Sequence, residues 1–171
     1  MLAENTLYTT DAFLDFFDRL RPGGMLTVAS VSLEGLAVGA RLASVARAAL
    51  RERGADPSRS VAVVQTRWLA VDGAVMHNLL VKPDGFAEGE LAAIERAAAE
   101  ARFEVGYLPG RALPGASPEQ RWIARIVTEP DAAALESAIA AWPLDVSAVD
   151  DDRPFLFYQN RLRDAGRALL T

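Results

Sequence analysis

Few side chains in this sequence are equipped for chemistry. There is no cysteine and one histidine, which excludes thiolate nucleophiles, disulfides, Cys-based zinc or iron–sulfur sites and paired-His metal sites. A Ser–His–Asp arrangement would have to use His77, which sits between Met76 and Asn78 in a strand-like run. No G-x-S-x-G turn accompanies it, so a packed or solvent-facing histidine is the simpler reading and a self-standing hydrolase the weakest functional one. The densest charge is Asp150-Asp151-Asp152-Arg153. Such a run can hold a polyamine or a metal, or stay solvated with Arg153 as an internal ion-pair partner. Trp68, Trp122 and Trp142 read as core or interface anchors before they read as a cofactor cage. The residues by themselves assign no catalytic group and no metal ligand.

The elements that would position these groups follow from local signals. Thr9-Thr10-Asp11 caps a helix whose Phe13, Phe16, Phe17 and Leu20 share one face. Arg21-Pro22-Gly23-Gly24 stops it. Met25 to Ser30, nearly all apolar, reads as a strand buried on both faces, the pattern of a parallel sheet. A helix over Leu36 to Arg53 points Val38, Leu42, Val45 and Ala49 inward. Strands follow at Val61 to Thr66 and Ala74 to Val81, antiparallel to each other across the Asp72-Gly73 turn. A helix from Glu88 to Arg102 buries Leu91, Ile94, Ala98 and Ala101, and Phe103 to Leu108 forms a short edge strand. Trp122, Ile123, Ile126 and Val127 mark one later helix, and Asp131 to Trp142 another. The alternation of helices and strands places the chain in the α/β class.

Composition sets the class of partner. The chain has 171 residues, 51% hydrophobic and 24% charged, as expected of one folded domain. The net charge of −5 has the wrong sign for nucleic acid, and none is expected as a partner. No segment has the uncharged length of a membrane span, because Leu33 to Leu50 carries Glu34, Arg41 and Arg47. Met1 to Asp11 lacks the basic and apolar regions of a signal peptide. A cytoplasmic location without membrane contact from this segment is therefore expected. Lys82 is the only lysine, so seventeen of the 18 basic residues are arginine; compositional drift accounts for that better than seventeen specific contacts.

Asp18-Arg19-Leu20-Arg21-Pro22-Gly23-Gly24 followed at once by Met25-Leu26-Thr27-Val28 resembles one stretch of class I S-adenosylmethionine-dependent transferases. There a Leu-Lys/Arg-Pro-Gly-Gly turn leads from a helix into the fifth strand, and a helix, a sixth strand and an antiparallel seventh strand follow. Glu4-Asn5-Thr6-Leu7-Tyr8-Thr9 is similar to the segment after the fourth strand in spermidine synthase-like proteins. Leu79-Leu80-Val81-Lys82, Tyr107-Leu108-Pro109-Gly110 and the closing Asp151-Asp152-Arg153-Pro154-Phe155 resemble the bacterial branch fused to multi-pass membrane segments. The resemblance covers most of Glu4 to Phe157. It implies the C-terminal half of a Rossmann-like methyltransferase sheet, with strands equivalent to the fifth, sixth and seventh and flanking helices. A partial transferase domain over 1–110 and a C-terminal helical extension with the Asp-Asp-Arg-Pro-Phe tail over 111–171 are its expected parts. It also implies the soluble part of a membrane-anchored protein as a second possible location.

In that family Glu4, Asn5, Leu7 and Tyr8 would line the substrate side of the pocket, and the ligand would be a small-molecule amine. A terminal segment with Tyr8 packed on the first helix is the other reading. Asp151, Asp152 and Arg153 are motif residues that either hold a ligand or bridge loops. S-adenosylmethionine or decarboxylated S-adenosylmethionine is the cofactor of the intact domain. Yet no G-x-G-x-G or G-x-G-x-x-G string occurs in this sequence, and neither the acidic ribose contact nor the catalytic aspartate of the fourth strand is matched. The chain is expected to begin just past that strand, to bind no cofactor alone and to be inactive alone. Aminopropyl and methyl transfer remain equally open. Its expected partner is a missing N-terminal half-domain or a second copy of itself, and the alternative is a non-enzymatic interaction or oligomerisation module.

Overall fold

The computed structural model describes residues 6–33, 37–67 and 72–160. Helix α1 (Thr10–Arg19) starts where the Thr9 side chain accepts a hydrogen bond from the Ala12 N–H, and buries Phe13 and Phe17. It stops in a turn that only glycine closes. Gly23 has φ +73°, and a Cβ on Gly24 would stand 2.8 Å from the Arg21 carbonyl oxygen. Asp84, in the turn at the far end of the neighbouring strand, accepts the Gly23 N–H at 2.8 Å.

Four strands form one sheet among the described residues: β1 (Leu26–Ser32), β2 (Val61–Arg67), β3 (Val75–Val81) and β4 (Glu104–Tyr107). The order is β1-β3-β2-β4, and every neighbouring pair is antiparallel. Because β3 opposes both β1 and β2, those two run in the same direction. The register aligns Val28, Leu79 and Val63 across three strands, and these side chains join the main core. The opposite face carries a smaller cluster of Ala62, Phe86, Leu91 and Leu108 under α4 (Glu88–Ala101).

Helix α2 (Val38–Glu52) lies against the main face, with α1 and α5 (Pro118–Thr128) packed on it. A Ser117–Gln120 capping box and Pro118 start α5. Asp131 caps α6 (Ala132–Ala141), and a one-turn helix α3 (Pro57–Ser60) leads into β2 under an Asp56 cap. Trp122 and Trp142 stack with ring centroids 4.5 Å apart, fixing α5 to the end of α6. The final described stretch crosses α2 and adds Val146, Val149 and Leu156 to the same core as Phe13 and Val63.

The mixed α/β class agrees with the sequence reading. Three finer expectations do not survive. Met25 to Ser30 is not a strand buried on both faces of a parallel sheet: along β1, Val28, Ser30 and Ser32 are buried while Thr27 and Ala29 are exposed, and all ladders are antiparallel. Its small residues conceal the alternation that larger polar side chains would have announced. Helix α2 buries not one face but most of its circumference, since alanines let sheet, helices and the final stretch approach from several sides. Ala101 is exposed: of the expected inward residues of α4, Leu91 and Ile94 join the small cluster and Ala98 is buried. Trp68 lies outside the described residues.

Candidate functional site

Of the expected substrate residues, Leu7 and Tyr8 stand at the start of α1, in a short 3₁₀ turn, Thr6–Tyr8, that precedes the helix. Thr9 is fully buried, and its hydroxyl donates to Asp151 Oδ1 at 2.6 Å while accepting the Ala12 N–H. The Asp151 N–H in turn donates to Asp11 Oδ2 at 3.1 Å, and the Thr10 N–H reaches the Val149 carbonyl at 2.8 Å. The Asp-Asp-Arg-Pro-Phe turn is thus clasped to the cap of α1. Tyr8 meets Phe157 edge-on at 6.5 Å. Beside the clasp lies a hollow of about 460 Å³ with Leu7, Asp11, Asp15, Phe16, Arg19 and Asp151 in its lining. Arg19 pairs with Asp15 at 3.6 Å. The remaining carboxylates, Asp11 and Asp151, give the hollow the sign that receives a cationic amine.

Placement separates the other expected residues. Leu7 is exposed at the lip of the hollow and Tyr8 is half-buried behind it. Glu4 and Asn5 lie outside the described residues. Asp152 is exposed in the turn. Arg153 is exposed too, and pairs within its own turn with Asp150 at 3.8 Å.

The arginine that bridges the loops is Arg41 of α2, which the sequence reading passed over as a mere charge. It is 4% exposed. Its Nε donates to the Ser147 carbonyl at 3.1 Å, and Nη1 reaches the carbonyls of Phe155 at 3.0 Å, Leu156 at 3.2 Å and Tyr158. Asp145 stands 3.5 Å from Nη2. A planar guanidinium with five donors satisfies several turn carbonyls at once, which a lysine could not. The signal was available: Arg41 and Arg47 interrupt a helix otherwise built of Ala, Val, Leu, Gly and Ser over most of its length.

His77 is 1% exposed on the main face of the sheet, beneath the N-terminus of α2. Its Nε2 is 3.1 Å from Ser32 Oγ and 3.5 Å from Glu119 Oε2. Ser32 Oγ also accepts the Val38 N–H at 3.0 Å and the Gly39 N–H at 3.4 Å, and donates to Glu119 Oε1 at 3.3 Å. His77 Nδ1 has no hydrogen-bond partner. Ser32 is buried and its oxygen takes the first N–H groups of α2, which is the role of a helix cap.

The cap extends over the whole first turn of α2. Ala37 N–H donates to Gln159 Oε1 at 2.7 Å, and Ala40 N–H to Glu119 Oε1 at 3.4 Å. The first N–H groups of α2, the usual seat for an anionic ligand group, are therefore taken by the chain's own side chains. Among the described residues no His/Asp/Glu group is placed to hold a metal ion, and no helix is long and apolar enough to cross a membrane. No family model, curated protein or solved structure matches this chain.

Proposed function

We propose that this chain is the C-terminal half of a spermidine synthase-like, S-adenosylmethionine-dependent transferase domain, and that it contributes the acceptor-amine side of the site rather than the cofactor side. The observation that carries the reading is the order β1-β3-β2, with β3 antiparallel to two codirectional strands, directly behind the Leu20-Arg21-Pro22-Gly23-Gly24 turn. That is the arrangement of the fifth, seventh and sixth strands in the resembled fold. The far edge of β1, where the fourth strand would lie, has no ladder partner among the described residues. The acidic hollow at the start of α1 supports the same reading, since a polyamine needs carboxylates at its ammonium groups. This chain's part in the reaction is to hold and desolvate that amine; the transferred group and its leaving sulfur belong to the other half.

The test is a search for, and expression of, the complementary half. The expected result is a glycine-rich segment encoded upstream that forms a one-to-one complex with this chain, the complex binding S-adenosylmethionine and the isolated chain not. Calorimetric binding of the cofactor to the isolated chain, or the absence of any such upstream segment, overturns the reading. A non-enzymatic oligomerisation module is the second reading, favoured by the same open β1 edge. Self-association that persists in the presence of the complementary half would favour it.

A further inference from the structure

A second cavity, of about 680 Å³, opens between α2, α6 and the 145–148 stretch, and shares no lining residue with the acidic hollow. Its volume is within the range of small-molecule sites. From α2 it takes Ser44, Arg47 and Arg51, which recur at helical spacing and form one polar stripe. From α6 it takes Leu135 and Ile139, one turn apart on the facing side, and Ala148 closes the apolar wall. An apolar wall facing a polar floor is the anatomy of a site for an amphipathic molecule.

The floor is unfinished. Arg47 is 8% exposed and Ser44 5%, yet Arg47 Nη1 and Ser44 Oγ have no hydrogen-bond partner. Burial and the neighbouring Arg51 charge hold the Arg47 guanidinium below its ordinary value, with Glu129 acting weakly the other way. Buried cations are normally paired, because an unpaired one forfeits its hydration without return. Two carboxylates also line the cavity. Asp145 is already engaged by Arg41 at 3.5 Å and by the Ser147 N–H and hydroxyl at 3.1 and 2.7 Å. Glu136 is exposed on α6 and repels a second negative charge.

We propose that this cleft binds a small organic monoanion, a carboxylate on an apolar body, with its oxygens on Arg47 and Ser44 and its chain along Leu135 and Ile139. A carboxylate offers two coplanar acceptors, matching one guanidinium N–H and one hydroxyl. With Asp145 matched to Arg41, the two floor arginines, Arg47 and Arg51, set against the rim carboxylate of Glu136 leave one net positive charge, which selects against polyanions. Both unpartnered atoms are closed off from solvent, so entry of the head group involves a turn of the Arg47 side chain.

Titration of the full chain with octanoate, followed by calorimetry and amide NMR, tests the site. Saturable binding is expected, with shifts confined to 44–51 and 135–148. Arg47→Met should weaken it about tenfold or more, the loss expected for a hydrogen bond to a charged group. Octylammonium and octanol should not compete. If Arg47→Met does not fold, Ser44→Ala carries the test with a severalfold loss. No saturable binding up to about 10 mM, unchanged affinity in the folded variants, or equal binding of octylammonium would overturn the proposal. None of these outcomes depends on the transferase reading.

Discussion

At the residue scale, two positions invert the usual expectation. Gly39 stands in the first turn of α2, where replacing glycine by alanine ordinarily stabilises a helix by about 0.5–1 kcal/mol. Here a Cβ would lie 2.9 Å from His77 Nδ1 and 3.1 Å from Glu119 Oε1. Gly39→Ala is therefore expected to destabilise by about 1–3 kcal/mol, the range for overpacking a tight interior. A urea midpoint equal to or above that of the parent would mean the cap has room to relax. Tyr107 is 5% exposed, donates its hydroxyl to the Ser58 carbonyl at 3.2 Å, and has its phenol pushed up to about 12 by burial, with Asp56 adding to the shift. Its folded value lies above the unfolded one of about 10. The stabilisation it gives is thus complete below pH 10 and drains away as pH rises toward 12. In an absorbance titration of the three tyrosines, one should ionise late, and Tyr107→Phe should remove that late step alone.

The elements divide into those fixed by local chemistry and those fixed by neighbours. Helix α1 is the most fully specified: the cap, the phenylalanine face and the glycine stop are all local, and the structure uses each of them. Phe17, 3% exposed and edge-on to Phe13 at 6.1 Å, should cost about 3–5 kcal/mol when cut to alanine. An unchanged melting temperature would show α1 to be undocked. Helix α4 ends on Arg102 at φ +57° in the left-handed region, where glycine is the usual residue. Arg102→Gly should raise stability by about 0.5–1 kcal/mol in denaturant melts, and a loss would mean the side chain contributes something the backbone does not reveal. Helix α2 is the opposite case. Its sequence predicts a helix with an inward face, but not that twelve of its fifteen residues would be buried, because coverage depends on chain segments a hundred residues away.

Among the described residues the sheet ends on β1 at one edge and on β4 at the other. β1 pairs with β3 on one side only among the described residues, and Met25 and Leu33 at its two ends are 42% and 45% exposed. Neither a proline nor a charged residue lies within Leu26–Ser32 to discourage pairing with another chain. Self-association through this edge is expected in light scattering across a dilution series, a symmetric dimer being the commonest closed form. A monodisperse monomer at micromolar concentrations, with the Leu26 and Val28 amides protected from exchange, would mean the edge is covered from within the chain.

What the amino-acid sequence determined by itself were features resting on contacts within one turn or across one tight reversal: the caps, the glycine stop of α1, the Asp72-Gly73 turn and the antiparallel strands around it. Acidic character at the Asp150–Asp152 run was legible as well, and so was the absence of cysteine chemistry. Only the tertiary structure decided which groups meet. Nothing in the spacing of Thr9 and Asp151 says that they hydrogen-bond across 142 positions. Nor does the spacing of Ser32, His77 and Glu119 announce a buried cap, or reveal that Arg41 rather than Arg153 holds the last turn. Such partnerships arise from the docking of separate elements, where burial removes water as the competing partner and makes each polar group's choice of neighbour a property of the whole fold.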